Sequence, residues 1–182
     1  MSKVVLVTGG CRSGKSTFAE NLLKLEDDVL YIATAIVTDN EMQDRVKKHK
    51  ASRNQKWETY EGFKDLDKVV ENCNHKNIML DCVTVMITNL MFDKYKDYDN
   101  VSMNEVDQLI KDIKHEFEKF ILKVKEKDIN LVMVTNEVGA GVVPEYKLSR
   151  IFRDIAGFTN QFIAKLSDEV YLTACGLPLK LK

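Results

Sequence analysis

Lys3 to Thr8 (KVVLVT), then Gly9-Gly10-Cys11-Arg12-Ser13-Gly14-Lys15-Ser16, then Thr17 to Lys24: this opening decides the fold. The first stretch is apolar and β-branched and predicts a buried strand. The middle stretch fits G-x-x-x-x-G-K-[ST], and the last predicts a helix. A loop of this composition, set between a strand and a helix, wraps so that its N–H groups face phosphate oxygens. The helix start behind it adds partial positive charge. Lys15 is then positioned for the β- and γ-phosphates of a nucleotide, and Ser16 for Mg²⁺.

Outward from that unit the chain repeats the same rhythm. Val29 to Ala33, Ile78 to Cys82, Leu131 to Thr135 and Val170 to Ala174 predict further strands, with helical segments between most of them. The longest helix is expected over Ser102 to Lys127, where Val106, Leu109, Ile113, Phe117, Phe120 and Val124 keep three-and-four spacing. Asp93 to Asn100 reads as a polar connection before it. Strand–helix alternation implies an α/β fold, a mostly parallel sheet flanked by helices. Ligands of such sheets bind beyond the carboxyl ends of the strands. Those ends carry Gly9-Gly10, Thr34-Ala35, Asp81-Cys82 and Asn136-Glu137. Asp81, ending an apolar strand, is the expected second acidic element, holding Mg²⁺ directly or through water.

The composition limits the partners. The chain has 182 residues, the length of one domain. Lys+Arg is 27 against Asp+Glu 28, a formal net charge of -1, which excludes a strongly basic nucleic-acid binder. Residues 3–8 are too short an apolar run for a signal peptide, and no stretch approaches a membrane span. Four cysteines without a C-x-x-C pair argue against a zinc ribbon, and the expected setting is reducing and cytoplasmic. Cys11, Cys73, Cys82 and Cys175 read as small fillers.

Only three histidines are available, so histidine chemistry must come from His49, His75 or His115. Glu41 to Arg53 reads as a helix on which Arg45, His49 and Arg53 share a face. Lysines flank His49, and a positive setting keeps imidazole neutral and nucleophilic. The same segment also reads as a solvated basic helix with an incidental histidine. His75 lies in a polar turn and His115 on the polar side of the long helix. Thr135 to Glu145 (TNEVGAGVVPE) is either a shaped ligand loop or a structural turn, with Pro144 expected in the first turn of the next helix. Arg150 and Arg153 suit phosphate, a neighbouring subunit, or a surface ion pair with Asp154 or Glu145. Trp57 and Tyr60 read as packing rather than base stacking. From these residues a small-molecule kinase and a nucleotide-sensing module both remain open.

Taken together, the motifs resemble the bifunctional adenosylcobinamide kinase / adenosylcobinamide-phosphate guanylyltransferase family. The residues carrying the resemblance are TGGCRSGKS (8–16), YIAT (31–34), Glu41-Met42 with Arg45 and His49, Arg53 with Trp57 and Glu61, and DCVT (81–84). Thr88-Asn89-Leu90, TNEVGAGVVP (135–144), FRDIAG (152–157), Asn160-Gln161 and Gly176-Leu177-Pro178 complete it. The resemblance implies a RecA-like P-loop NTPase fold in a cytoplasmic homotrimer. It implies transfer of a γ-phosphate from ATP or GTP to adenosylcobinamide. It also implies transfer of GMP from GTP, through a guanylyl group on His49, to adenosylcobinamide phosphate. Nucleotide contacts implied are Gly9, Gly10, Cys11, Arg12, Ser13, Gly14, Lys15, Ser16 and Thr17; Thr34, Ala35 and Ile36; Lys50, Ala51, Ser52 and Arg53; and Glu61 and Asp81. Ser16 and Asp81 would hold Mg²⁺. Lys48 stands where some relatives carry a second histidine, which leaves His49 the only candidate nucleophile of its segment.

Overall fold

A computed structural model of the chain describes residues 2–36 and 54–182. In chain order its elements are β1 (Val4–Gly9), α1 (Lys15–Leu22), β2 (Val29–Ala33), β3 (Glu58–Glu61), α2 (Leu66–Glu71) and β4 (Asn77–Asp81). There follow α3 (Val83–Lys94), α4 (Met103–Glu126), β5 (Asn130–Asn136), α5 (Lys147–Leu166), β6 (Glu169–Ala174) and β7 (Leu177–Lys180). The strands form one seven-stranded sheet in the order β3-β2-β4-β5-β1-β6-β7. All neighbours are parallel except β6 and β7. The α/β class and the mostly parallel sheet are therefore as the alternation predicts.

Alternation along each strand divides the core in two. Val4 and Leu6, Leu30 and Ile32, Ile78 and Leu80, and Leu131 and Met133 face helices α2 to α5. Val5 and Val7, Val29 and Tyr31, Met79, and Val132 and Val134 face α1, with Ala19, Leu23 and Trp57. Burial on both faces explains why these strands read as continuous apolar runs.

Two strands lay outside the sequence expectation. β3 (ETYE) has no apolar run and lies at one edge. β7 (LPLK) is exposed and contains Pro178, which is tolerated because the strand is the other edge. Pro144 does not enter the first turn of α5: Tyr146 is the N-cap, and the helix starts at Lys147. Arg150 donates to the carbonyls of Pro144 and Glu145, keeping that approach non-helical. The stretch 93–100 is less polar in its role than its composition suggests. α3 runs on to Lys94, and Tyr98 is buried with its hydroxyl donating to the Met91 carbonyl at 2.7 Å. Burial pushes the Tyr98 phenol up to about 12.

Candidate functional site

The carboxyl ends of the central strands lie in register. Gly9 pairs with Asn136 and Thr173, and Asp81 with Ala33 and Val134. The phosphate loop, Asp81 and the loop after β5 therefore share one edge of the sheet.

Three close approaches shape the phosphate loop. Gly9 has no room for a side chain: a Cβ there would lie 2.5 Å from both Ser13 Oγ and Thr173 Oγ1. Those two hydroxyls are hydrogen-bonded at 2.8 Å, and Thr173 donates onward to the Thr8 carbonyl at 3.2 Å. Gly14 is left-handed at φ 92, and a Cβ on it would stand 2.9 Å from the Gly176 Cα. Gly176 N–H donates to the Ser13 carbonyl at 2.9 Å. The loop thus rests on the tight β6–β7 turn, where Cys175 and Gly176 both have positive φ between the paired Ala174 and Leu177. Positive φ at both central positions suits a two-residue hairpin. Lys15 begins α1 and folds its amine back to the Gly10 carbonyl at 3.0 Å. Gly10, Cys11, Arg12 and Thr17 are exposed, and Ser16 is half-buried. Cys11 is thus no filler, and neither is Cys175; Cys73 and Cys82 are the buried pair. Burial, then the Asp81 charge, pushes the Cys82 thiol up to about 12, which leaves it protonated.

Asp81 is half-buried at the end of β4, and its Oδ2 accepts from the Tyr31 hydroxyl at 3.0 Å. The Asp81–Cys82 peptide is cis. Thr34, expected to meet nucleotide, is 1% exposed and committed to this junction. Its N–H donates to the Asp81 carbonyl at 3.2 Å. Its hydroxyl accepts from Cys82 N–H at 2.9 Å and donates to the Cys82 carbonyl at 2.8 Å. Its own carbonyl accepts from Asn89 Nδ2 at 2.7 Å. Ala35 is half-buried and Ile36 exposed at the same edge, and Glu61 is exposed beside Ala33 in the register.

The loop after β5 is tied to the phosphate strand, because Glu137 N–H donates to the Gly9 carbonyl at 3.0 Å. Below it four residues close a ring. Asn136 N–H donates to Thr84 Oγ1 at 2.6 Å, which meets Thr135 Oγ1 at 3.2 Å. Thr135 donates to Asn160 Oδ1 at 2.8 Å, and Asn160 Nδ2 returns to the Asn136 carbonyl at 3.3 Å. Since the Thr135 proton points to Asn160, the Thr84 hydroxyl is the donor to Thr135. Arg153 pairs with Asp154 at 3.0 Å, the surface reading of that residue. Trp57 is buried and donates to the Glu26 carbonyl, so it packs as expected.

His49, Lys50, Ala51, Ser52 and Arg53, with the helix expected over 41–53, lie outside the described residues. Of the other histidines, His115 is exposed on α4 and His75 is held between two carboxylates away from the site. Sequence reasoning gave no role to Tyr31, Asn89, Thr84 or Thr173. The signal for Tyr31 was a phenol inside a buried strand, which needs a partner for its hydroxyl.

The donors present fit Mg²⁺. Ser16 Oγ and Asp81 Oδ1 are hard oxygens that carry no hydrogen bond among the described residues. Among these residues no helix is long and apolar enough to cross a membrane.

The family model described as cobinamide kinase / cobinamide phosphate guanyltransferase matches residues 5–181. The chain is 42% identical to the bifunctional adenosylcobalamin biosynthesis protein CobU of Escherichia coli K12, covering 98% of this chain and 99% of that protein. It is 40% identical to CobU of Salmonella typhimurium LT2 over the same shares, and 35% identical to CobP of Pseudomonas aeruginosa over 97% and 96%. Among solved structures, the RadB recombinase aligns with a TM-score of 0.46 at 12% identity, over 93% of this chain and 73% of that one. With a family model matched nearly end to end and relatives of this identity, the chain belongs to the cobinamide kinase / cobinamide phosphate guanyltransferase family of cobalamin-biosynthesis enzymes.

Proposed function

We propose that this chain catalyses both reactions at one nucleotide-binding edge. In the first, the hydroxyl oxygen of the aminopropanol arm of adenosylcobinamide attacks the γ-phosphorus of ATP or GTP. The bond to the β–γ bridging oxygen breaks, the hydroxyl loses its proton and a nucleoside diphosphate leaves. In the second, a ring nitrogen of His49 attacks the α-phosphorus of GTP and pyrophosphate leaves. A phosphate oxygen of adenosylcobinamide phosphate then displaces the imidazole, giving adenosylcobinamide-GDP. Splitting the transfer through a covalent intermediate replaces one difficult step by two easier ones.

The observation that carries this reading is the phosphate loop, held by Thr173 and Gly176 on a sheet edge that also presents Asp81. Its backbone N–H groups would bind phosphate oxygens, and Lys15 would leave the Gly10 carbonyl for them. Ser16 and Asp81 would hold Mg²⁺, which when bound neutralises charge on the transferring phosphoryl group. Lys50, Ala51, Ser52, Arg53, Glu61, Ala35 and Ile36 are proposed nucleotide contacts. Thr34 serves the same contacts through its backbone connections.

Labelling tests the two halves separately. GTP labelled at the α-phosphate should leave acid-labile, alkali-stable label on the protein, and GTP labelled at the γ-phosphate should leave none. His49→Ala should abolish the α-label; persistence of that label, or its absence from active enzyme, overturns the guanylyl-histidine. Lys15→Ala should lose cobinamide phosphorylation, and retained activity overturns the role of the loop. The assembly we propose is a homotrimer working in the cytoplasm, and a monomer in light scattering at working concentration overturns that assembly.

A further inference from the structure

We propose that Tyr31 is a positioning residue for Asp81. Its buried hydroxyl holds one carboxylate oxygen and so presents the other to the metal of the bound nucleotide. The inference rests on the proposed role of Asp81 in holding Mg²⁺.

Tyr31 and Asp81 sit on neighbouring parallel strands. Ala33 pairs with Asp81 and Tyr31 with Met79, so the tyrosine stands two residues back along β2. Residues 79 and 81 share a face, and Met79 lies with Tyr31 in the core under α1. The phenol therefore reaches Asp81 from below, on the face from which α1 brings Ser16. Tyr31 is 6% exposed, which keeps its ring out of reach of solvent and of the phosphates. Its hydroxyl donates to Asp81 Oδ2 at 3.0 Å, while Oδ1 carries no hydrogen bond among the described residues.

The backbone of the same residue is fixed independently. Thr34 N–H donates to the Asp81 carbonyl, and the Thr34 hydroxyl engages both polar groups of Cys82. With main chain and one oxygen both held, the remaining oxygen has one orientation. Hydrogen bonding of a ligating carboxylate by an outer partner is a general means of setting metal affinity, and its loss costs about 10- to 100-fold.

The test measures binding of a fluorescent GTP analogue against Mg²⁺ concentration, with a parallel titration in EDTA. It uses the parent chain, Tyr31→Phe, Asp81→Asn and the double variant. Tyr31→Phe keeps the ring, so the core stays filled, and thermal melts confirm that each variant is folded at the assay temperature. The expected result is about a 10- to 100-fold rise in the Mg²⁺ needed for half-maximal binding in Tyr31→Phe. Metal-free binding should be unchanged, and the double variant should be no worse than Asp81→Asn. An equal loss with and without metal, or full additivity in the double variant, marks a merely structural tyrosine and overturns the inference. If Asp81→Asn shifts the Mg²⁺ dependence and Tyr31→Phe does not, the inference fails and the metal role of Asp81 stands. If neither shifts it, the metal role of Asp81 fails and the inference falls with it.

Discussion

A methyl group on Gly14 would meet the Gly176 backbone at 2.9 Å, at a φ of 92 that side chains rarely adopt. The left-handed conformation alone costs a non-glycine residue about 1–2 kcal/mol. Gly14→Ala should therefore weaken GTP binding roughly tenfold or more, measurable by calorimetry. At Thr34 the loss is of a different kind. Thr34→Val keeps the shape but leaves Cys82 N–H and the Cys82 carbonyl without their partner inside a buried junction. That should lower stability by about 1–3 kcal/mol, read as a shift of the urea midpoint. The two glycines and the lysine of the phosphate loop were legible in the sequence because the chemistry dictates their identities and spacing. Thr34 was legible only as a position at the right edge. Whether a threonine spends its hydroxyl on a ligand or on its own chain depends on a residue 48 positions away.

At the level of elements, the best-read helix was the one whose sequence carries both its periodicity and its start. Ser102 caps α4 by accepting from Glu105 N–H, and Glu105 returns a carboxylate to the Ser102 N–H at 2.8 Å. Ser102→Ala should cost about 1 kcal/mol, seen as a lower melting temperature with unchanged nucleotide affinity. The five inner strands were equally legible, and in β1, β2, β4 and β5 burial on both faces forces apolar runs. The edges were not: β3 has no such run, and β7 carries a proline that argues against a strand anywhere except an edge. α3 buries Val83, Thr84, Met86, Ile87, Leu90 and Met91. Apolar on nearly every side, it lacks the two-faced spacing by which a surface helix is recognised.

Across the whole molecule, the two ends of the sheet have separate tasks. Phosphate chemistry gathers at the carboxyl ends of the strands, and the opposite end is fastened by charges. His75 stands between Asp28 at 2.8 Å and Glu58 at 2.9 Å, joining the approaches to β2, β3 and β4. Burial works against the imidazolium, but the hydrogen bonds it donates to Glu58 and Asp28 outweigh that and raise its pKa above the ordinary 6.5. A raised folded pKa means stability that is full below about 6.5 and is lost as pH rises through the folded value. His75→Gln should remove that dependence, seen by comparing the denaturation free energies of the two chains across the neutral range. Glu169 works in the other direction. Lys180, Lys3 and Tyr171 hold it down to about 2, so its contribution is present above the ordinary carboxylate range and lost as pH falls through about 2. Substitution of His75 should leave the Mg²⁺ dependence of nucleotide binding unchanged, because that dependence belongs to the other end of the sheet. None of this fastening was legible in advance, because His75 and Glu58 meet only once three strands are aligned.

The turn that supports the phosphate loop also sets an order of events. Ser13 and Thr173 are 160 residues apart, yet each fixes the other. During synthesis the nucleotide-binding sequence leaves the ribosome well before the hairpin that gives it its form. Nascent chains stopped before Gly176 should therefore fail to hold GTP even with β1, α1 and β5 complete. Affinity for the substrate then arrives only with that hairpin and all at once, as a signal that the sheet has closed.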